Sequence, residues 1–95
     1  MSRGGRKPYR ETKIDEKTFF REFSVDSDAS DFEWHWDSEN REIEVVSGIN
    51  WKFQYDNCLP VTIKPGYKIS VEKNEWHRII KGDTNLKVIV HKWKI

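Results

Sequence analysis

The chain has 95 residues, which is enough for one domain and too short for two. Charged residues make up 35% and hydrophobic residues 36%, and because no run of about 18 apolar residues occurs, a transmembrane helix is excluded. A single cysteine, Cys58, excludes an internal disulfide and a four-cysteine zinc site. Together with the lack of a charged-then-apolar leader, this predicts a reducing, cytoplasmic location.

The near-neutral net charge of +1 hides an uneven distribution. Residues 1–13 hold five basic side chains and one acidic side chain, so that 5 − 1 = +4, and the remainder holds 12 basic and 15 acidic side chains, so that 12 − 15 = −3. We therefore expect residues 1–13 to be a flexible basic tail and residues 14–95 to form a single domain. Such a tail could contact nucleic acid, but a solvated terminus is the simpler interpretation, and nucleic acid is not an expected partner.

Short runs in which apolar and polar residues alternate follow the tail and predict β-strands rather than helices. Turn-forming Asp, Asn, Ser, Gly and Pro residues separate these runs. The predicted strands span residues 19–25, 32–36, 42–46, 51–55, 61–63, 67–71, 76–80 and 86–92. Seven or eight short strands at fairly even spacing predict an all-β sandwich or small barrel.

Metal-binding residue types cluster around the second predicted strand. His35 and Asp37 are two residues apart, so both should project to one face of that strand. Glu42 begins the next strand and could face the same pocket, and His77 could lie beside them in a barrel. Two imidazoles and a carboxylate form the facial triad of non-haem iron sites. The alternative for His35 and Asp37 is a polar edge that faces solvent.

The order of these residues resembles two motifs of the cupin family, over about residues 30–81. The first motif is followed by His35, Asp37, Glu42 and Gly48, although its opening glycine is missing and Gly48 comes one residue early. The second is followed by Gly66, Glu72, Asn74 and His77, with Lys81 in place of its final asparagine. Asp37 stands where the family has a second histidine, while Glu72 and Asn74 stand where it has proline and glycine. Asparagine tolerates the left-handed backbone region, so we expect the corner at Asn74 to be kept.

The resemblance implies a double-stranded β-helix, which is a jelly-roll barrel. It also implies that His35, Asp37, Glu42 and His77 bind a divalent transition metal (Fe, Mn, Ni or Zn), with a small-molecule ligand inside the barrel. Because small cupins are commonly homodimers, we expect a homodimer. Dioxygenase, isomerase and decarboxylase chemistry are all compatible with the resemblance.

Further polar side chains are candidates for the same pocket. Glu44 lies two residues after Glu42, so we predict that it points inward and acts as a general base, with an ion pair to Lys52 as the alternative. Arg41 and Arg78 either bind an anionic substrate or balance the nearby acids. His91 is either an extra ligand or a surface residue of the last strand.

The aromatic residues have two interpretations. They could stack on a sugar or nucleobase, or they could fill the core and a dimer interface, which is the usual role in a small β-domain. The candidates are Trp34, Trp36, Trp51, Phe53, Trp76 and Trp93. Three functions therefore remain: a metal-dependent enzyme, a non-catalytic cupin that binds a sugar or small molecule, and an accessory structural protein that uses the basic tail.

Overall fold

In a computed structural model, residues 9–27 and 32–93 are described, and these residues form eight strands and no helix. The strands are β1 Tyr9–Lys13, β2 Thr18–Phe23, β3 Asn40–Ser47, β4 Lys52–Tyr55, β5 Val61–Thr62, β6 Lys68–Val71, β7 His77–Ile80 and β8 Leu86–Trp93. None of the described residues belongs to a helix that could cross a membrane. The prediction of an all-β chain is confirmed.

The strands form two antiparallel sheets. One has five strands in the order β1-β2-β8-β3-β6, and the other has three in the order β5-β4-β7. Strand β8 lies at the centre of the larger sheet, where it pairs with β2 on one side and with β3 on the other. Because neighbours in the sheet are mostly distant along the chain, the strands cross between the sheets as a jelly roll requires.

The core lies between the two sheets. In β8 the apolar residues Leu86, Val88 and Val90 are each at most 3% exposed and alternate with more exposed neighbours. They join Phe53 of the smaller sheet and Trp51 in one continuous cluster. Full burial of a large apolar side chain contributes about 1.5–3 kcal/mol to stability. The two sheets are therefore held together by the apolar side chains that each sheet turns toward the other.

The N-terminal boundary differs from the expected one. Strand β1 pairs along its whole length with β2, so the folded part includes Tyr9–Lys13 and the tail predicted to end at residue 13 is corrected. The Tyr9 ring packs on Phe23 at a centroid distance of 5.0 Å, which anchors the strand despite its charged residues. Residues 1–8 of the predicted tail lie outside the described residues.

The strand predicted at residues 32–36 is also corrected. The segment makes a single β-bridge, between His35 and His77, rather than a ladder. Phe32 is buried at 8% exposure and meets Trp51 edge-to-face at 5.7 Å, whereas Trp36 is 50% exposed. The alternating aromatics therefore belong to an irregular segment, anchored at Phe32, that carries His35 across the end of β7.

Candidate metal centre

One reciprocal pair of backbone hydrogen bonds sets the two histidines side by side. The His35 N–H donates to the His77 carbonyl at 3.0 Å, and the His77 N–H donates to the His35 carbonyl at 2.9 Å. Residues paired in this way across antiparallel segments present their side chains on one face. The two imidazole centroids are accordingly 4.3 Å apart, although His35 and His77 are separated by 42 positions along the chain.

Backbone carbonyls fix the proton positions on both rings. The Nδ1 atom of His35 lies 3.1 Å from the Glu33 carbonyl, and the Nδ1 atom of His77 lies 2.8 Å from the Glu75 carbonyl. A carbonyl oxygen only accepts hydrogen bonds, so each Nδ1 carries the proton and each Nε2 keeps its lone pair. This outer-shell contact is the one that metal-binding histidines commonly make.

Asp37 completes the group with an acceptor that lacks a donor. Its Oδ2 atom is buried, makes no hydrogen bond, and lies 3.3 Å from the Nε2 atom of His77. One ligand atom from each of His35, Asp37 and His77 lies within 4.8 Å of the other two. Three electron-pair donors thus converge without a proton to share, and a buried acceptor left unpaired costs about 1–3 kcal/mol. The residues present therefore fit a divalent metal.

The loop before β7 holds the backbone of Asp37 in place. The Asn74 N–H donates to the Asp37 carbonyl at 2.7 Å. Asn74 has a φ of 66°, in the left-handed region, as its position in the motif predicts. The corner in the second cupin-like motif is thus hydrogen-bonded to the segment that carries the first motif.

The pKa values of His35 and Asp37 favour the forms that bind a metal. Burial lowers the pKa of His35, so its ring stays neutral. Burial alone would raise the pKa of Asp37, but the His77 ring, when it is protonated, and the Arg41 guanidinium outweigh it and lower the pKa. A carboxylate and a neutral imidazole bind metal without first releasing a proton.

Acidification should weaken the fold through Glu39. The Arg41 guanidinium donates to Glu39 Oε2 from Nε at 3.1 Å and from Nη2 at 2.7 Å, and the same Nη2 lies 3.3 Å from Asp37 Oδ1. Burial would raise the pKa of Glu39, but these hydrogen bonds and the arginine charge lower it. The stabilisation is therefore complete above the unfolded-state pKa of about 4.3 and is lost as pH falls through the lower folded-state pKa.

We expect Glu39→Gln to lower the free energy of unfolding by about 1–2 kcal/mol near neutral pH. The difference from wild type should shrink as pH falls below about 4, because protonated glutamate and glutamine are then equivalent. Urea denaturation across this pH range measures it. A difference that stays constant with pH would contradict the assigned role of the ion pair.

A cavity of about 380 Å³ adjoins the three residues and lies between the sheets. Its walls are largely aromatic and aliphatic and include Phe23, Phe32 and Phe53. The Phe53 ring stacks on His77 at 5.6 Å, which restrains the imidazole. Two arginines, Arg21 and Arg41, also line it. The volume lies at the small end of ordinary ligand sites.

Glu42 and Glu44 are not part of this group, and the prediction that they point inward is wrong. On β3 the residues that line the cavity are Arg41 and Ile43, and Glu42 and Glu44 alternate with them and are exposed. Since successive side chains of a strand point to opposite faces, both glutamates lie outside the barrel. Glu42 there stands opposite His91 of β8.

The structure also shows where His91, Arg78 and Arg21 lie. His91 is exposed on the outer face, where its Nδ1 lies 3.1 Å from the Thr18 hydroxyl. Arg78 alternates with the inward-facing residues of β7, and its guanidinium lies over the Trp34 ring at 4.8 Å. Arg21 was not predicted as a cavity residue, although its spacing of two residues from Phe19 and Phe23 on β2 puts it on the same face as Phe23, which also lines the cavity.

Comparisons with known proteins agree with this architecture. No protein-family model and no curated relative matches the sequence. Three solved structures that match are the Fe(II) form of HppE, a cupin-2 domain protein from Shewanella frigidimarina, and a mannose-6-phosphate isomerase-like protein from Ralstonia eutropha.

The three differ in how much of their length this chain spans. HppE shares 15% identity and a TM-score of 0.63 over 80% of this chain, which spans only 41% of HppE. The Shewanella protein shares 15% identity and a TM-score of 0.66, over 90% of this chain and 79% of its own. The Ralstonia protein shares 14% identity and a TM-score of 0.69, over 92% and 83%. At these identities the likeness concerns the fold, and the chain is a cupin-fold protein with a possible His-Asp-His metal site.

Proposed function

We propose that this chain binds one divalent transition metal through His35, Asp37 and His77, and acts as a metal-dependent enzyme on a small polar molecule held in the adjoining cavity. The observation that carries the proposal is the buried, unpaired Oδ2 of Asp37 beside two imidazoles whose Nε2 lone pairs are free to bind a cation. The alternative without catalysis is a cupin that binds a small molecule in the same cavity.

The donor set favours iron among the candidate metals. Two imidazole nitrogens and one carboxylate oxygen are the ligands of non-haem Fe(II) centres, which keep open positions for other molecules. HppE, which shares the fold, has structures in Fe(II) and Co(II) forms. Mn, Ni and Zn are the other metals that these ligands accept. Such a metal, when bound, supplies Lewis-acid or redox chemistry.

The protein prepares this centre in three ways. The backbone carbonyls of Glu33 and Glu75 hold the Nδ1 protons, which leaves the Nε2 atom of each ring to bind a cation. Arg41 keeps Asp37 ionised, and Glu39 keeps Arg41 in place. The aromatic wall formed by Phe32 and Phe53 excludes water from one side of the cavity, which strengthens electrostatic interactions there.

Metal titration of the full chain tests the proposal. We expect His77→Ala to weaken Co(II) binding by about 100-fold or more, because removal of an outer-shell partner alone commonly costs 10–100-fold. His91→Ala is the matched control, since this histidine lies on the outer face, and it should leave affinity unchanged. Equal Co(II) affinity in wild type and His77→Ala, with both folded, would reject the metal-dependent function and favour the alternative.

A further inference from the structure

Arg21 is a buried cation inside the barrel. It lies on β2 between Phe20 and Glu22, its side chain is 8% exposed, and it lines the same cavity as His35 and His77. Arginine is rarely buried unless it is paired, and the desolvation of a buried charge is costly. The ion pair with Glu11 offsets part of this cost.

The partners of Arg21 occupy only part of its guanidinium. Its Nε donates to Glu11 Oε2 at 2.7 Å, and its central carbon lies 4.2 Å from the centroid of the Tyr9 ring. Among the described residues, none accepts a hydrogen bond from its two terminal nitrogens. Arg41 differs, because Glu39 and Asp37 already surround its guanidinium. Arg21 is thus held in place with its terminal donors uncommitted.

We propose that Arg21 binds the carboxylate of a small organic acid with an apolar body, and that such acids are the substrate class of the metal centre; the substrate role rests on the function proposed above. Two terminal N–H groups of one guanidinium match the two oxygens of a planar carboxylate. A single uncommitted arginine suits a monoanion better than a phosphate dianion.

The apolar part of the remaining wall fits the body of such a molecule, while Glu33 and Arg41 also line the cavity. Phe23, Phe32, Ile43, Phe53 and Ile79 line the cavity and offer apolar surface. At about 380 Å³ the cavity accommodates a small ligand and little more. An acid anchored at Arg21 would fill this apolar space in the cavity that His35, Asp37 and His77 also line.

Benzoate binding to the full chain, freed of metal by chelation, tests the anion site without the metal. Calorimetric titration should show benzoate binding, and Arg21→Lys should weaken it about tenfold or more, since lysine keeps the charge but loses the paired donors. Arg78→Gln is the matched control, because Arg78 is not among the residues that line the cavity and its Nε donates to Gln54, and it should not change the affinity. Near-UV circular dichroism verifies that each variant is folded.

The double variant Glu11→Gln/Arg21→Met covers the case in which Arg21→Lys does not fold, because it removes both charges of the pair together. It should also lose benzoate binding. Benzoate binding that is equal in either folded variant and wild type, no benzoate binding by wild type, or tighter binding of phenylphosphonate than of benzoate would overturn the proposal. A chain that binds benzoate through Arg21 but binds no Co(II) would instead overturn the metal-dependent function.

Discussion

Trp51→Ala should lower the free energy of unfolding by about 3–5 kcal/mol, the usual cost of removing a buried tryptophan. The side chain is 0% exposed and packs against Phe32 at 5.7 Å and Phe23 at 6.2 Å between ring centroids. Its indole N–H donates to the Thr84 carbonyl, which would lose its partner. Domains are stable by only about 5–15 kcal/mol, so this one change removes a large share of the total.

The surroundings of Trp51 leave little room to close the resulting space. A Cβ added at Gly82 would lie 2.6 Å from both the Cδ1 and the backbone nitrogen of Trp51, so the chain at residue 82 already touches the tryptophan. Because Phe32 begins the segment that carries His35, loss of Trp51 should also loosen the candidate metal centre.

Guanidinium denaturation followed by circular dichroism measures this effect. Trp76→Ala is the control, because Trp76 is 47% exposed and a surface substitution commonly changes stability by less than about 0.5 kcal/mol. If the two variants lost similar amounts of stability, the assignment of Trp51 to the core and of Trp76 to the surface would be wrong.

Asp37→Asn should abolish tight metal binding, whereas Glu42→Gln should leave it unchanged. Each substitution replaces a carboxylate by an amide of the same shape, so the comparison isolates the charge and donor strength at the two positions. Asp37 presents a buried oxygen to His77, and Glu42 points to solvent on the opposite face of β3. We expect a loss of about 100-fold or more for Asp37→Asn, by the same reasoning as for an outer-shell partner.

Competition between the protein and a chelator of known affinity, with Co(II), measures this difference. The family resemblance assigned both carboxylates to the metal, so the two substitutions distinguish the sequence motif from the observed geometry. A similar loss in Glu42→Gln would show that Glu42 reaches the metal and that the register of β3 is wrong.

The strand pattern was largely accessible from the sequence, because β4 and β6 alternate apolar and polar residues and β7 and β8 are rich in the β-branched residues valine and isoleucine. Strand β1 was missed because its basic and acidic residues conceal the one aromatic anchor, Tyr9. The 32–36 segment was assigned to a strand because its aromatics alternate, but only Phe32 is buried among the three. Alternation of large side chains does not by itself distinguish a paired strand from an extended segment.

The candidate site was likewise predicted only in part from the sequence. Proximity of His35, Asp37 and His77 followed from the two motifs, since the spacing of these three positions within them is kept even though Asp37 replaces a histidine. The inward direction of Glu42 rested on its place after the His35 segment and in the motif, and that of Glu44 on its spacing of two residues after Glu42. Both conflict with the apolar alternation of Ile43 and Val45, which β3 obeys. The face of Arg21 followed from its spacing of two residues from Phe19 and Phe23, but its pairing did not, because its partner Glu11 lies on the strand that was not predicted.

The most direct measurement of the central claim is an anomalous difference map from crystals of the full chain grown with Co(II). We expect one strong peak at about 2.0–2.2 Å from the Nε2 atoms of His35 and His77 and from a carboxylate oxygen of Asp37, the distances of transition-metal coordination. A map with no peak at these three residues, or with cobalt bound at the outer face beside Glu42 and His91, would contradict the account.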